Sequence, residues 1–436
     1  MTVFAISFVI YTIGIVLIGV LAGRHAGKDD ESFFLGGRTL GPWVAALSAS
    51  ASSESGWLTI GLVGWAFTSG ASAYWILPGV LIGYVFNWVV LAGPLRDQTE
   101  RLGAITLPDY LSLRFGEGSG PNGRAPVLRL LAVAVIILAM WLYVAAQFAA
   151  AGKAFESAFA IDYRWGVGIG GAIVLFYTVI GGFRAACWTD FAQAIVMFVA
   201  LGLFPIWALL SSGGYGAMSE SLASVEGLNT FWPEKTGLAF MGFLFGSGAL
   251  GINFGYPGQP HVLIRFIALR KRSEAVKAAV IAFTWGAVVL WGAVTLGLLV
   301  RAYTIDGAEW TAPLAEELAG EVSGAGETGL VLAAQALLPG VLGGERRLCP
   351  LVQTSRRRTV DQSIDCPRLG DRGDALGARS GHSGLYVRVE LRLGCARGGV
   401  WASGLAGVVL ETSKSSWGNR RHDDWGGRCA WLEDGL

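Results

Sequence analysis

Charge is what this chain has least of. Only 15% of its 436 residues are Asp, Glu, Lys or Arg, against 53% apolar ones, and mean hydropathy is +0.52. A soluble protein of this size could not cover its surface with so few polar groups. The net charge of +1 leaves no basic footprint for nucleic acid. Five cysteines, with no Cys-x-x-Cys pair among them, give neither a disulfide framework nor a zinc clip. No nucleophile, metal cluster or phosphate loop stands out, so an enzyme is not expected. The string Gly166-Val167-Gly168-Ile169-Gly170-Gly171 lacks a preceding strand, and reads as helix packing rather than a dinucleotide loop. What the chain does have, 63 glycines and 17 tryptophans among long apolar runs, is the profile of an all-α polytopic membrane protein.

Crossing about 30 Å of hydrocarbon takes roughly 20 apolar residues in a helix. Eight runs qualify, at about 3–23, 42–66, 72–94, 128–150, 166–182, 187–211, 238–264 and 275–301, and a ninth starts at 329 and stops at 343. The first is too long for a signal-peptide core and reads as a retained span. Alternate loops hold the positive charge: Arg24, Lys28 and Arg38; Arg96, Arg101, Arg114, Arg124 and Arg129; Arg184; then Arg265, Arg270, Lys271, Arg272 and Lys277. The opposite loops hold only Lys153, Arg164, Lys235 and Arg301. The positive-inside rule puts the richer set in the cytoplasm and the N-terminus outside. The expected location is the inner (cytoplasmic) cell membrane, with the lipid bilayer as a partner.

Two spans should not be smooth helices. The second carries Ser48, Ser50, Ser52, Ser53, Glu54 and Ser55 near mid-membrane, and the seventh contains, between Gly246 and His261, Pro257, Pro260 and five glycines. Small residues by themselves usually mean close helix packing, and Tyr256, Gln259 and Pro260 could simply make and cap a kink. Glu54 differs, because a carboxylate at a helix centre costs about 2.5–3.5 kcal/mol on insertion scales and is kept for a reason. Irregular backbone at that depth belongs beside protein or a wet cavity, and paired broken helices mark transporter binding sites. Spans 2 and 7 are five apart, which suggests two five-helix repeats.

The strings FFLGGRTLGPWVAALSASASSESGW (33–57), TLPDYLSLRF (106–115), GGFRAACWTDFAQA (181–194) and YPGQPHVLIRF (256–266) resemble the solute:sodium symporter family, in particular its bacterial sodium/proline symporters. The resemblance runs from about residue 5 to 343. It implies a LeuT-type core of two inverted five-helix repeats behind one extra N-terminal helix, with the second repeat incomplete here. It implies sodium as coupling ion, no organic cofactor, and uptake of a small solute, typically L-proline. It implies sodium ligation by backbone carbonyls at Ala51 and Glu54. Ser53 stands where the family has a sodium-linked aspartate, and the carboxylate comes one residue later at Glu54. Ser55, Gly56 and Trp57 match the solute segment, as do Tyr143, Tyr256 and Pro260. Ile252 replaces a family tryptophan. Arg38 matches an arginine at the cytoplasmic mouth, and Asp190 a loop acid.

After residue 343 the pattern fails. The last 93 residues carry 14 arginines and four of the five cysteines, Cys349, Cys366, Cys395 and Cys429, at spacings unsuited to zinc. No helical or alternating apolar pattern survives. Residues 344–436 read as out-of-frame translation rather than as a tail domain or zinc site. The functional expectation is a sodium-coupled importer of proline or a related solute working by alternating access. The alternative is a non-transporting product of a decayed gene, or a transporter-derived sensor.

Overall fold

The computed structural model describes residues 2–24, 29–116, 125–232, 241–242, 245, 251–320 and 325–338. The chain divides into a unit at Met1–Val360 and another at Asp361–Leu436, and the second lies outside the described residues. The same holds for the whole expected tail, 344–436, and for most of the seventh run before Gly251.

The described residues are helical, with a single isolated bridge between Leu40 and Leu269. Five stretches are long and apolar enough to cross a membrane: Ile6–Gly23, Pro42–Arg101, Pro126–Phe159, Gly181–Ser211 and Arg272–Ile305. The second, 60 residues long, holds two expected spans. At 1.5 Å per residue it is far too long for one crossing. A tight turn at Gly70–Trp75, opened by Gly70 at φ +70°, separates its halves.

Local sequence sets the helix ends. Asp29 starts Asp30–Leu35 by accepting the Ser32 amide at 3.1 Å, and Gly36 ends it in the left-handed conformation. The Ser32 hydroxyl and amide hold the Asp29 carboxyl below its ordinary range. Pro42 and Pro126 each sit at the start of a helix, where a missing N–H costs nothing. Thr106 caps Leu107–Phe115 by accepting the Asp109 amide.

The Tyr163–Phe198 stretch is two helices joined at one residue, Gly182, with φ +58°. A Cβ there would lie 2.9 Å from the Phe33 carbonyl oxygen, so only glycine fits. The loop expected around Arg184 is reduced to this single glycine.

Ala275–Ile305 is the most enclosed helix. It packs against Pro42–Gly56, Val63–Ser69, Ile76–Val85, Phe204–Ser211 and Gly214–Ala223. Small residues, Ala278, Ala282, Gly286, Ala293 and Gly297, recur among its buried ones, beside larger side chains such as Trp285, Leu290 and Tyr303. Lipid tails are as apolar as leucine, so such helices associate through close van der Waals contact, and small residues allow it. Gly292 shows how close: a Cβ there would stand 1.6 Å from the Leu201 carbonyl oxygen. Pro126–Phe159 behaves in the opposite way, turning Leu130, Leu131, Leu138 and Trp141 outward.

Candidate functional site

The Pro42–Gly56 helix breaks at Ser55, whose backbone lies at φ 43°, ψ −149°. In an unbroken helix the Gly56 amide would bond the Ser52 carbonyl. Here the two groups part, and the Pro126–Phe159 helix takes both. Tyr143 donates its hydroxyl to the Ser52 carbonyl at 2.6 Å, and the Gly56 amide donates to Gln147 Oε1 at 3.0 Å. The backbone thus stays satisfied away from water, as membrane depth requires.

The second break follows Gly251–Gly255. A short turn at Tyr256–Gly258 leads to extended backbone at Gln259 (ψ 103°), and a new helix starts at Pro260. The two breaks touch. Ser53 donates to Gln259 Oε1 at 3.3 Å, and Tyr256 donates to Glu54 Oε1 at 2.5 Å. Tyr84 donates to the same carboxylate oxygen at 2.8 Å. Asn87 holds the turn by donating to the Tyr256 carbonyl at 3.1 Å. Glu54 is 1% exposed. Its cost of burial is met by two phenol donors, which bonds to a charged acceptor make stronger than ordinary ones. The Glu54 carbonyl accepts the Trp57 amide, which leaves it one further lone pair.

A second polar cluster lies on the other side of the same helix. Arg265, 6% exposed, pairs with Asp190 at 2.6 Å. Its guanidinium also donates to Ser48 Oγ at 2.8 Å and Ser52 Oγ at 2.7 Å, and Ser48 donates on to Asp190 at 2.8 Å. Two expectations are corrected here. Arg265 is not a loop cation but lies inside Pro260–Ile267, and Asp190 is not a loop acid but lies inside Tyr163–Phe198. Each can sit in a helix because the other neutralises it and the serine hydroxyls fill the remaining sites.

Arg38 (φ 51°) ties together several helix ends. It donates to the Ile267 carbonyl at 3.0 Å, the Ala104 carbonyl at 2.8 Å, Thr99 Oγ1 at 3.1 Å and Glu31 at 2.8 Å. One side chain therefore ties the entry to the first broken helix to the exit from the second.

The structure brings Ser53, Glu54, Ser55, Gly56, Tyr143 and Tyr256 into one cluster. Ala51 is buried one turn before the break, Trp57 lies just beyond it and is 36% exposed, and Pro260 opens the helix after the second break. Ile252 lies in Gly251–Gly255, and its side chain is outside the described residues. Arg38 and Asp190 are apart from this cluster, Arg38 with Thr99, Ala104 and Ile267 and Asp190 with Arg265. Four participants were not singled out from the sequence: Gln147, Tyr84, Asn87 and His261. His261 stacks on Tyr143 at 5.0 Å, inside the string that carried the resemblance. The other three stand in ordinary apolar spans, where only a polar atom among apolar neighbours set them apart.

Residues 33–344 match the Sodium:solute symporter family. The chain is 40% identical over 304 residues to the sodium/proline symporter of Escherichia coli (strain K12), covering 69% of this chain and 58% of that one. It is 38% identical over 295 residues to the sodium/proline symporter of Staphylococcus aureus (strain USA300 / TCH1516), covering 67% and 55%. The chain thus spans a little over half the length of the curated relatives it matches. In fold it is similar to a Na+-coupled sialic acid symporter solved in a substrate-bound outward-open state, with TM-score 0.57 at 20% identity, covering 74% of this chain and 66% of that one. On the match to the family over most of its length and on these relatives, the chain belongs to the sodium:solute symporter family, and its architecture is the LeuT-like, all-helical membrane fold.

Proposed function

We propose that this chain carries the ion- and solute-binding part of a sodium-coupled symporter that imports L-proline or a closely related small solute by alternating access. The observation that carries the reading is the contact of two broken helices at Ser53–Glu54 and Tyr256–Gln259. Broken helices that meet inside a membrane offer carbonyls to a cation and amides to an anionic group at one place. Sodium is a hard cation that takes oxygen ligands. The Ala51 and Glu54 carbonyls and the Ser53 hydroxyl suit it, all lying within one turn of the break. Ser55, Gly56, Trp57, Tyr143, Tyr256 and Pro260 form the solute side, and Ile252 is its seventh member. That curated relatives are named for proline supports this choice of solute.

The proposed setting is the inner (cytoplasmic) cell membrane, with the N-terminus outside and the Arg38 clamp at the cytoplasmic mouth. The distribution of Arg and Lys between alternate loops supports this orientation. Residues 344–436 are proposed to be out-of-frame translation. The family match ending at 344, where arginine and cysteine begin to accumulate, supports this.

The test is uptake of labelled proline into proteoliposomes under an inward sodium gradient. It is run on the chain as it stands and on a version whose reading frame is restored after codon 344. Uptake by the restored version that collapses when the gradient is dissipated is expected. Sodium-independent uptake, or none by either version, would overturn the reading.

A further inference from the structure

An apolar groove of about 430 Å³ lies between three helices: Pro42–Gly56, the part of Tyr163–Phe198 after Gly182, and Ala275–Ile305. Leu47, Phe198, Ile281 and Trp285 wall it, and Ile195 and Val280 are exposed along its opening. Thr284 brings its one hydroxyl. The Trp285 indole N–H is spent on the Ala194 carbonyl at 3.0 Å, so that ring offers only carbon to an occupant. All three helices belong to stretches long and apolar enough to cross a membrane, where an open apolar groove meets acyl chains rather than water.

One end of the groove is polar. The helices Pro42–Gly56 and Ala275–Ile305 run side by side in the same direction. Leu47 and Ile281 line the groove together, and further along both stretches a Cβ at Gly297 would stand 2.4 Å from the Val63 carbonyl. Trp43 comes one turn before Leu47, and Lys277 one turn before Ile281, so both side chains stand at the same end. Both are exposed, and neither the Trp43 indole nor the Lys277 ammonium has a partner among the described residues. The neighbouring arginines are all paired: Arg265 with Asp190, Arg270 with Glu274 and Arg272 with Asp97. Glu274, one turn before Lys277, is thereby already engaged.

We infer that this groove holds one acyl chain of an anionic phospholipid of the phosphatidylglycerol type, with Lys277 on its phosphate and Trp43 at the level of its glycerol. An apolar trough that ends in an unpaired cation and a free indole N–H is complementary to an amphiphile with a negative head. Tryptophan rings settle at headgroup level, and lysines there attract anionic lipids. A helix or a second copy of the chain would cover the trough but leave the ammonium unanswered. Depth fits as well. From Lys277 to Thr284 the helix rises about 10 Å, the span of the upper part of one chain. One wall of the groove is the half-helix that ends at the Ser55 break, so a seated chain would brace that half against its two neighbours.

The inference rests on the preceding reading only for the leaflet involved, and its test needs neither sodium nor solute. The purified full chain in detergent is titrated with dioleoylphosphatidylglycerol or dioleoylphosphatidylcholine, and bound lipid is counted by native mass spectrometry. One phosphatidylglycerol should be retained in preference to phosphatidylcholine. Lys277→Gln should lower its affinity about fivefold, the loss of one interfacial cation. Lys271→Gln, which removes the other unpaired cation of the same loop, should leave it unchanged. Val280→Trp, which fills the trough at an exposed position, should lower retention of both lipids. Equal retention of the two lipids, or an equal effect of Lys277→Gln and Lys271→Gln, would mean ordinary attraction to the bilayer surface and overturn the inference. Retention untouched by Val280→Trp would put the lipid elsewhere and overturn it too. A dimer that Val280→Trp splits would assign the groove to a second copy instead. Failure of gradient-driven proline uptake with lipid retention intact would count against the symport reading only.

Discussion

Tyr143 and Gln147, one turn apart on the Pro126–Phe159 helix, replace the hydrogen bond that the neighbouring helix loses at Ser55. Tyr143 takes the Ser52 carbonyl and Gln147 takes the Gly56 amide. Gln147→Leu would leave the Gly56 amide without its partner, at a cost of about 1–3 kcal/mol. The expected outcome is a lower unfolding temperature in detergent. Tyr143→Phe should act in the same direction through the Ser52 carbonyl. No change in either variant would show that the break is held by packing alone.

Arg265 and Asp190 should behave as a unit. Removing one partner of a buried pair strands the other, with losses of about 3–5 kcal/mol. Arg265→Met or Asp190→Leu alone should therefore lower the yield of folded protein sharply, while the double variant recovers much of it. A double variant as unstable as the sum of the singles would mean the two residues act independently.

Glu54 is the only negative charge bonded directly at the joined breaks among the described residues. Glu54→Gln should weaken sodium affinity at least about tenfold, since a full charge is lost beside the ion in a poorly screened interior. Glu54→Asp should keep part of that affinity, because the charge stays and only the reach to Tyr84 and Tyr256 shortens. Sodium affinity indifferent to both changes would make the side chain a structural tether between the two helices.

Orientation is open to direct measurement. In a background with the chain's five cysteines replaced, Arg270→Cys should react with impermeant thiol reagents only from the cytoplasmic side. Tyr215→Cys, an exposed position beyond Phe204–Ser211, should react only from outside. Reversed accessibility would overturn the assignment of the arginine-rich side.

Limited proteolysis bears on the tail. Out-of-frame residues should be cleaved away quickly, leaving a fragment that ends close to residue 343. A protease-resistant fragment from within 344–436 would show a folded domain there and end the frameshift reading.

The apolar runs, the charge asymmetry and the two irregular spans were legible because each is a property of neighbouring residues. Hydrocarbon thickness fixes a run length, and a serine-rich or proline-glycine string weakens helical bonding wherever it occurs. Glu54 stood out for the same reason, as a lone carboxylate within an apolar span. Its partners did not stand out. Tyr256 lies 202 residues away and Tyr84 lies 30 away, and nothing local in either tyrosine distinguishes it from an ordinary buried aromatic. Arg265 read as the first cation of a loop, and Asp190 as an acid in one. Only their approach across 75 residues let both charges remain inside helices. The sequence by itself determined which stretches are long and apolar enough to cross a membrane and where its helices must fail. The tertiary structure alone decided which oxygens and amides close those failures, because a buried polar group needs a partner in space, and the partner can come from any part of the chain.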